Sequence, residues 1–205
     1  MNFLKLTKSV YAYLGFHSYA PDAHADGLIE ECLKEVEKLS HFRYVYKYFG
    51  SPPAFLQKQP YENYLKGCGG VIISVMTLGA EIDRRISYYG ISDRTKAVVF
   101  DACASAYLEN LSDEYEKTIT DNLSYRFCPG YGGSDVADLK YIFEILQPEK
   151  IGMSLTDSFY MLPCKSMAGI IAVGGTHKKS CGGCALKEHC RYLKEGTKCY
   201  GTDNE

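Results

Sequence analysis

Behind the turn-forming stretch Gly67-Cys68-Gly69-Gly70 stands a short, continuously apolar run, VIISVMTLG, and whatever that run becomes constrains the elements around it. Periodicity alone does not separate a strand from a buried helix in so short a run, but its β-branched residues favour a strand. Between Asp22 and Leu39 the pattern is different: Ile29, Cys32, Leu33, Val36 and Leu39 recur at three- and four-residue steps among glutamates and lysines, which predicts an amphipathic surface helix. The stretch FRYVYKYF then alternates up to Gly50, Pro52 and Pro53, as a strand ending in a turn does, and its five aromatics suit sheet packing. Ala80 to Tyr89 and Asp93 to Thr118 read as helices, the second capped by Ser92 or Asp93, and its small residues Ala102, Ala104, Ser105 and Ala106 predict a closely packed neighbour. Ser134 or Asp135 can cap a further helix with the stripe Val136, Leu139, Ile142, Phe143 and Leu146, stopped by Pro148. Strand-like segments follow at about Ser158 to Leu162 and Gly169 to Val173. Helices and strands are mixed without a βαβ repeat, so the fold class is α+β and not a doubly wound parallel sheet.

With 205 residues and 46% hydrophobic content, the chain can bury one main core. A formal charge of -2 supplies no basic footprint, which argues against nucleic-acid binding. No apolar run approaches the ~18 residues of a membrane helix, and MNFLKLTKSV lacks the apolar centre of a secretion signal, so a cytoplasmic location without membrane contact is expected. The nine cysteines then point to metal ligation or buried thiols more than to disulfides. Cys32, Cys68, Cys103, Cys128 and Cys164 are scattered, whereas Cys181, Cys184, Cys190 and Cys199 crowd the last 25 residues. Residues 1–176 are expected to form the main domain and 177–205 a cysteine-rich metal-binding tail.

The segment RFCPGYGGSD, Arg126 to Asp135, concentrates chemistry. Arg126 offers a planar fork of donors that suits a carboxylate and stays charged. Pro129-Gly130 makes a tight turn where a ligand can approach the main chain, Tyr131 can present a ring face to a cation or a flat base, and the following helix start adds unpaired N–H groups. The combination suits a small zwitterionic or cationic ligand with a flat group. Read alone, an arginine before a Pro-Gly turn is more often an ordinary surface cation. Ser158, Ser166 and the five histidines show no nucleophile–base spacing and read as packing, turn or surface residues.

The blocks RFCPGYGGSDVADLKYIFEIL, IGMSLTDSFYMLP and KSMAG, in this order and spacing, resemble the C-terminal activation domain of cobalamin-dependent methionine synthase. TLGAEIDRRI and VVFDACASAYLENL are similar to the preceding part of that family, and YLGF near the N-terminus resembles its stand-alone members, so the resemblance spans most of residues 10–175. It implies mixed helices packed on a mainly antiparallel twisted sheet, and an S-adenosylmethionine site used to remethylate, reductively, the cobalamin of a separate corrinoid-binding methyltransferase chain. Such a chain would be an accessory activation subunit. Within that resemblance Arg126 would pair with polar groups of the ligand, the main chain of Cys128 would face it, Tyr131 would be the motif tyrosine, and Glu109 would be an acidic contact. Glu109 also reads as a solvated helix carboxylate. Where the fused enzyme has a His-Pro turn followed by a ligand-contacting tyrosine, this chain has GGTHKK, with no tyrosine at the matching position. No general base is nominated, because a thioether leaves without a proton and the protein's part is orientation. Neither a corrinoid-binding motif nor a substrate barrel is present, so a partner chain is implied.

The tail spaces its thiols C-x2-C-x5-C-x8-C, which suits a structural zinc or an iron–sulfur cluster, with a disulfide pair as the bland alternative. The unequal gaps lack paired C-x2-C knuckles and favour [4Fe–4S], and a reaction that consumes an electron favours it too. Three functions follow. The chain is a stand-alone reactivation module, or an iron–sulfur electron-transfer activator of a corrinoid enzyme that no longer uses S-adenosylmethionine, or an adaptor with a structural zinc. A flavodoxin- or ferredoxin-type reductant would be a further partner.

Overall fold

The computed structural model describes residues 3–16, 22–175 and 191–194. The apolar run is a strand, β2 (Gly70–Thr77), and every one of its residues is buried. It lies at the centre of an antiparallel sheet, between β1 (Arg43–Phe49) and β5 (Ser166–Val173). A central strand covered on both faces has no polar face to alternate with, which is why the run is continuous. Val71, Ile73 and Val75 of β2, with Ala168, Ile170 and Ala172 of β5, enter one core; Met76 enters the other, and Met167 packs against it.

The second of these cores is helical. Here α1 (Phe3–Tyr13), α2 (Ala23–Leu39) and α4 (Ala80–Ser92) surround α5 (Arg94–Ile119), the longest helix described. Asp93 caps α5 by accepting a hydrogen bond from the Lys96 amide at 2.9 Å. Ala102, Ala104 and Ala106 are buried, which is how three helices approach one axis. The opposite face of the sheet is covered by α3 (Tyr61–Leu65) and α6 (Leu139–Leu146), with Tyr61, Tyr64 and Ile142 in its core.

The sequence-based boundaries need three adjustments. The helix expected from Ser134 or Asp135 opens as a 3-10 turn, Val136–Asp138, which Asp135 caps, and becomes α-helical only at Leu139. The strand expected over Ser158 to Leu162 is confined to β4 (Met161–Leu162), paired with β3 (Ser154–Leu155) in a two-residue ladder. The N-terminal helix α1 had not been expected; it buries Leu6, Val10 and Tyr11.

Candidate ligand site

After α5 the chain runs back along the free edge of β5. Leu123 bridges Val173, Phe127 bridges Ile170 through two 2.8 Å hydrogen bonds, and the Ser124 amide donates to Ala172. This irregular edge follows the two-residue alternation of a strand. Tyr125 and Phe127 join the α6 core, so Arg126 points to the other face, toward α5. Its aliphatic stem crosses Gly169: a Cβ there would stand 2.3 Å from the Arg126 Cγ. The glycine of KSMAG is therefore the floor on which the arginine lies.

Arg126 is not the open cation that its place in the motif suggests. Its side chain is only 6% exposed. Nε donates to Glu116 Oε1 at 2.7 Å, and Nη2 donates to Glu116 Oε2 at 2.9 Å and to Asp113 Oδ1 at 2.6 Å. Among the described residues, Nη1 donates to the Met167 thioether, at 3.7 Å, and to no carboxylate. Tyr44 of β1 adds a hydroxyl donor to Glu116 Oε1 at 3.2 Å. Desolvation works against the charged guanidinium, but the hydrogen bond and charge of Glu116, with Asp113, outweigh it and raise its pKa. Burial pushes the Glu116 carboxyl up, and Arg126 offsets part of that push.

The motif turn sits beside this pair. The Tyr131 amide donates to the Cys128 carbonyl, and Ser134 ties the loop by donating to the Tyr131 carbonyl at 2.7 Å while accepting from the Gly130 amide at 3.1 Å. Gly132, at φ +58, takes a left-handed conformation that favours glycine, and a Cβ there would press on the Phe127 ring at 3.0 Å. Cys128 opens this turn two residues after Arg126 and is half-buried. Tyr131 stands 74% exposed, presenting its ring outward. The N–H groups expected at the following helix start are partly engaged, since Ala137 donates to Asp135. Behind the loop, the buried Asp138 accepts from Lys58 at 2.7 Å and from the Tyr61 hydroxyl at 3.0 Å, fixing the motif to the segment before α3.

Glu109 joins the cluster from α5. Its Oε2 accepts a 2.8 Å hydrogen bond from Tyr13, the last residue of α1, 96 positions away. Burial first, then the charge of Glu109, raises the Tyr13 pKa, and the fields of Tyr131 and Arg126 also reach that phenol. Glu109, Arg126, Cys128 and Tyr131 are thus gathered on one side of the molecule. Sequence reasoning had not found Tyr13, Asp113, Glu116 or Gly169; the spacing of Glu109, Asp113 and Glu116 along one face of a helix was the signal available.

Cys181, Cys184, Cys190 and Cys199 lie outside the described residues, as do the tail boundary at residue 177 and most of GGTHKK. Among the described residues no group of three or more histidine, cysteine or acidic side chains is placed to hold a metal, and no helix is long and apolar enough to cross a membrane. Two surface concavities, of about 320 and 510 Å³, lie among the helices, and of Tyr13, Glu109, Arg126, Cys128 and Tyr131 only Tyr13 lines either of these two.

Fold and site together define an α+β domain in which a helical layer and a glycine-rich turn meet at the edge of an antiparallel sheet. Among solved structures the chain is similar to the crystal structure of the MetH reactivation domain bound to AdoHcy, with a TM-score of 0.56 and 16% identity over 97% of this chain and 85% of that one. The fold expected from the sequence resemblance is the fold found. No protein-family profile and no curated protein matches the sequence.

Proposed function

We propose that this chain binds S-adenosylmethionine and serves the reductive remethylation of a corrinoid carried by a separate cobalamin-dependent methyltransferase, such as a methionine synthase. The observation that carries the reading is the convergence of Glu109, Arg126, Cys128 and Tyr131 in the fold of a domain solved with AdoHcy. The residues suit the ligand: a ring face for the flat base, a glycine turn for main-chain contact, the Nη1 edge of Arg126 for a carboxylate, and an acid for the cationic end. When bound, S-adenosylmethionine supplies an electrophilic methyl group and leaves as a neutral thioether, so the chain's own residues need only bind and orient.

The reaction also consumes an electron, and the four tail cysteines are proposed to hold a [4Fe–4S] cluster that relays it from a flavodoxin- or ferredoxin-type reductant. A second reading keeps the cluster and drops the methyl donor. One observation favours it: most of the Arg126 fork already faces Glu116 and Asp113. Isothermal titration of S-adenosylmethionine into anaerobically purified, metal-replete protein separates the two. Binding that is weakened in Arg126→Ala supports the first; no binding, with iron present, leaves the second. Metal analysis of the same protein should find iron that Cys184→Ser removes, whereas stoichiometric zinc without iron would make the tail structural.

A further inference from the structure

One face of α5 carries Asp101, Ser105, Glu109, Asp113 and Glu116 at three- and four-residue steps, so these side chains form a single row. Both ends of the row meet a cation. At the first end, Lys165 places Nζ 2.8 Å from Asp101 and 2.9 Å from the Ser105 hydroxyl. At the other, Arg126 takes Asp113 and Glu116. The middle acid, Glu109, is treated differently: among the described residues it accepts from the neutral Tyr13 hydroxyl. A phenol fixes the position of a carboxylate without cancelling its charge. The four carboxylates of the row face two cations, and among the described residues Glu109 is the one carboxylate of the row without a cation within salt-bridge distance.

We infer that Tyr13 is a positioning residue that holds Glu109 as the charge-selective element of the site, so that it favours a methyl donor with a positively charged sulfur over its neutral demethylated product. The inference rests on the reading of the site as one for S-adenosylmethionine. The two ligands share their base, sugar, ammonium and carboxylate groups and differ by the methyl and its charge. A fixed, partly desolvated carboxylate discriminates between them by Coulomb attraction, and losing the charge on methyl transfer weakens the hold on the product.

The test is titration of S-adenosylmethionine and S-adenosylhomocysteine, separately, into the intact metal-replete protein, its Tyr13→Phe variant and its Glu109→Gln variant, with thermal unfolding of each as the control for folding. The intact protein should prefer S-adenosylmethionine. Glu109→Gln should reduce the ratio of the two affinities by roughly tenfold, and Tyr13→Phe by about threefold because the charge remains but is no longer held. A merely structural role would weaken both ligands equally and leave the ratio unchanged, and that result overturns the inference while the functional reading stands. Binding of neither ligand to the intact protein overturns the functional reading and this inference with it.

Discussion

Arg126 shows how a residue type can be read correctly for chemistry and still be misjudged for availability. Its fork is built for a carboxylate, and in the folded chain it has found two, Glu116 and Asp113. Arg126→Ala should therefore do two things. It should weaken S-adenosylmethionine binding by roughly 1.5–3 kcal/mol, the scale of a charge-assisted hydrogen bond, and lower stability to urea by about 3–5 kcal/mol because Glu116 is left buried without its partner. Asp113→Asn, at a side chain 55% exposed, should cost less than about 1 kcal/mol. Gly169→Ala should destabilise by roughly 1–3 kcal/mol through overpacking against the arginine stem. In an Arg126→Ala background most of that cost should vanish, since the atom it would strike is gone. A double-mutant cycle in urea checks this, and full additivity would refute the contact.

At the scale of the element, α5 organises the molecule: one side meets three helices and one row of polar residues holds Lys165, Tyr13 and Arg126. Its start is set by a single cap, because Asp93 follows α4 directly and satisfies the Lys96 amide. Asp93→Ala should cost about 1 kcal/mol, read as a lower denaturant midpoint with an unchanged slope. An unchanged midpoint would mean that packing against α1, α2 and α4 fixes the helix start without the cap. The edge segment 123–127 is the complementary device. Its bridges to β5 aim alternate side chains at opposite cores, and Arg126 reaches α5 only because Phe127 is seated on the other face.

The molecule as a whole carries a pH signature in its phenols. Burial is the first cause of the raised pKa of Tyr13, Tyr44, Tyr61 and Tyr64, whose ordinary value is 10.0. In the unfolded chain these hydroxyls ionise near that value, whereas in the fold they hold their protons to higher pH. Above about pH 10 the unfolded state therefore binds fewer protons than the folded one, and stability falls as pH rises. Denaturant midpoints measured in steps through this range should decline, and the tyrosinate absorption should show a set of tyrosines that ionise only as the chain unfolds. Free titration of all 18 tyrosines while the protein remains folded would contradict the buried placement.

Much of the fold could be read along the chain because its signals are local. The 3.6-residue stripe of α2, the Asp93 cap, the β-branched run of β2 and the stop after α6 each lie within a few neighbouring residues. The contiguous candidate residues Arg126, Cys128 and Tyr131 could be nominated for the same reason, since one turn holds them. Helix α1 was missed because apolar residues stand on both of its sides, with Leu6, Val10 and Tyr11 buried but Leu4 and Tyr13 exposed, and the two-residue strands β3 and β4 are too short to carry a period. Pairings between distant residues were beyond reach as well. That Glu116 takes Arg126, that Tyr13 finds Glu109 across 96 positions, and that Gly169 must lack a side chain all depend on the register of an edge strand and the packing of α1 on α5. The sequence by itself determined which groups bear charge, where the long helices α2 and α5 and the central strand lie, and that an α+β domain would form. Only the tertiary structure decided which carboxylates are paired with a cation from within the fold and which are not, because Coulomb energy depends on separation and burial, and neither is a property of position along the chain.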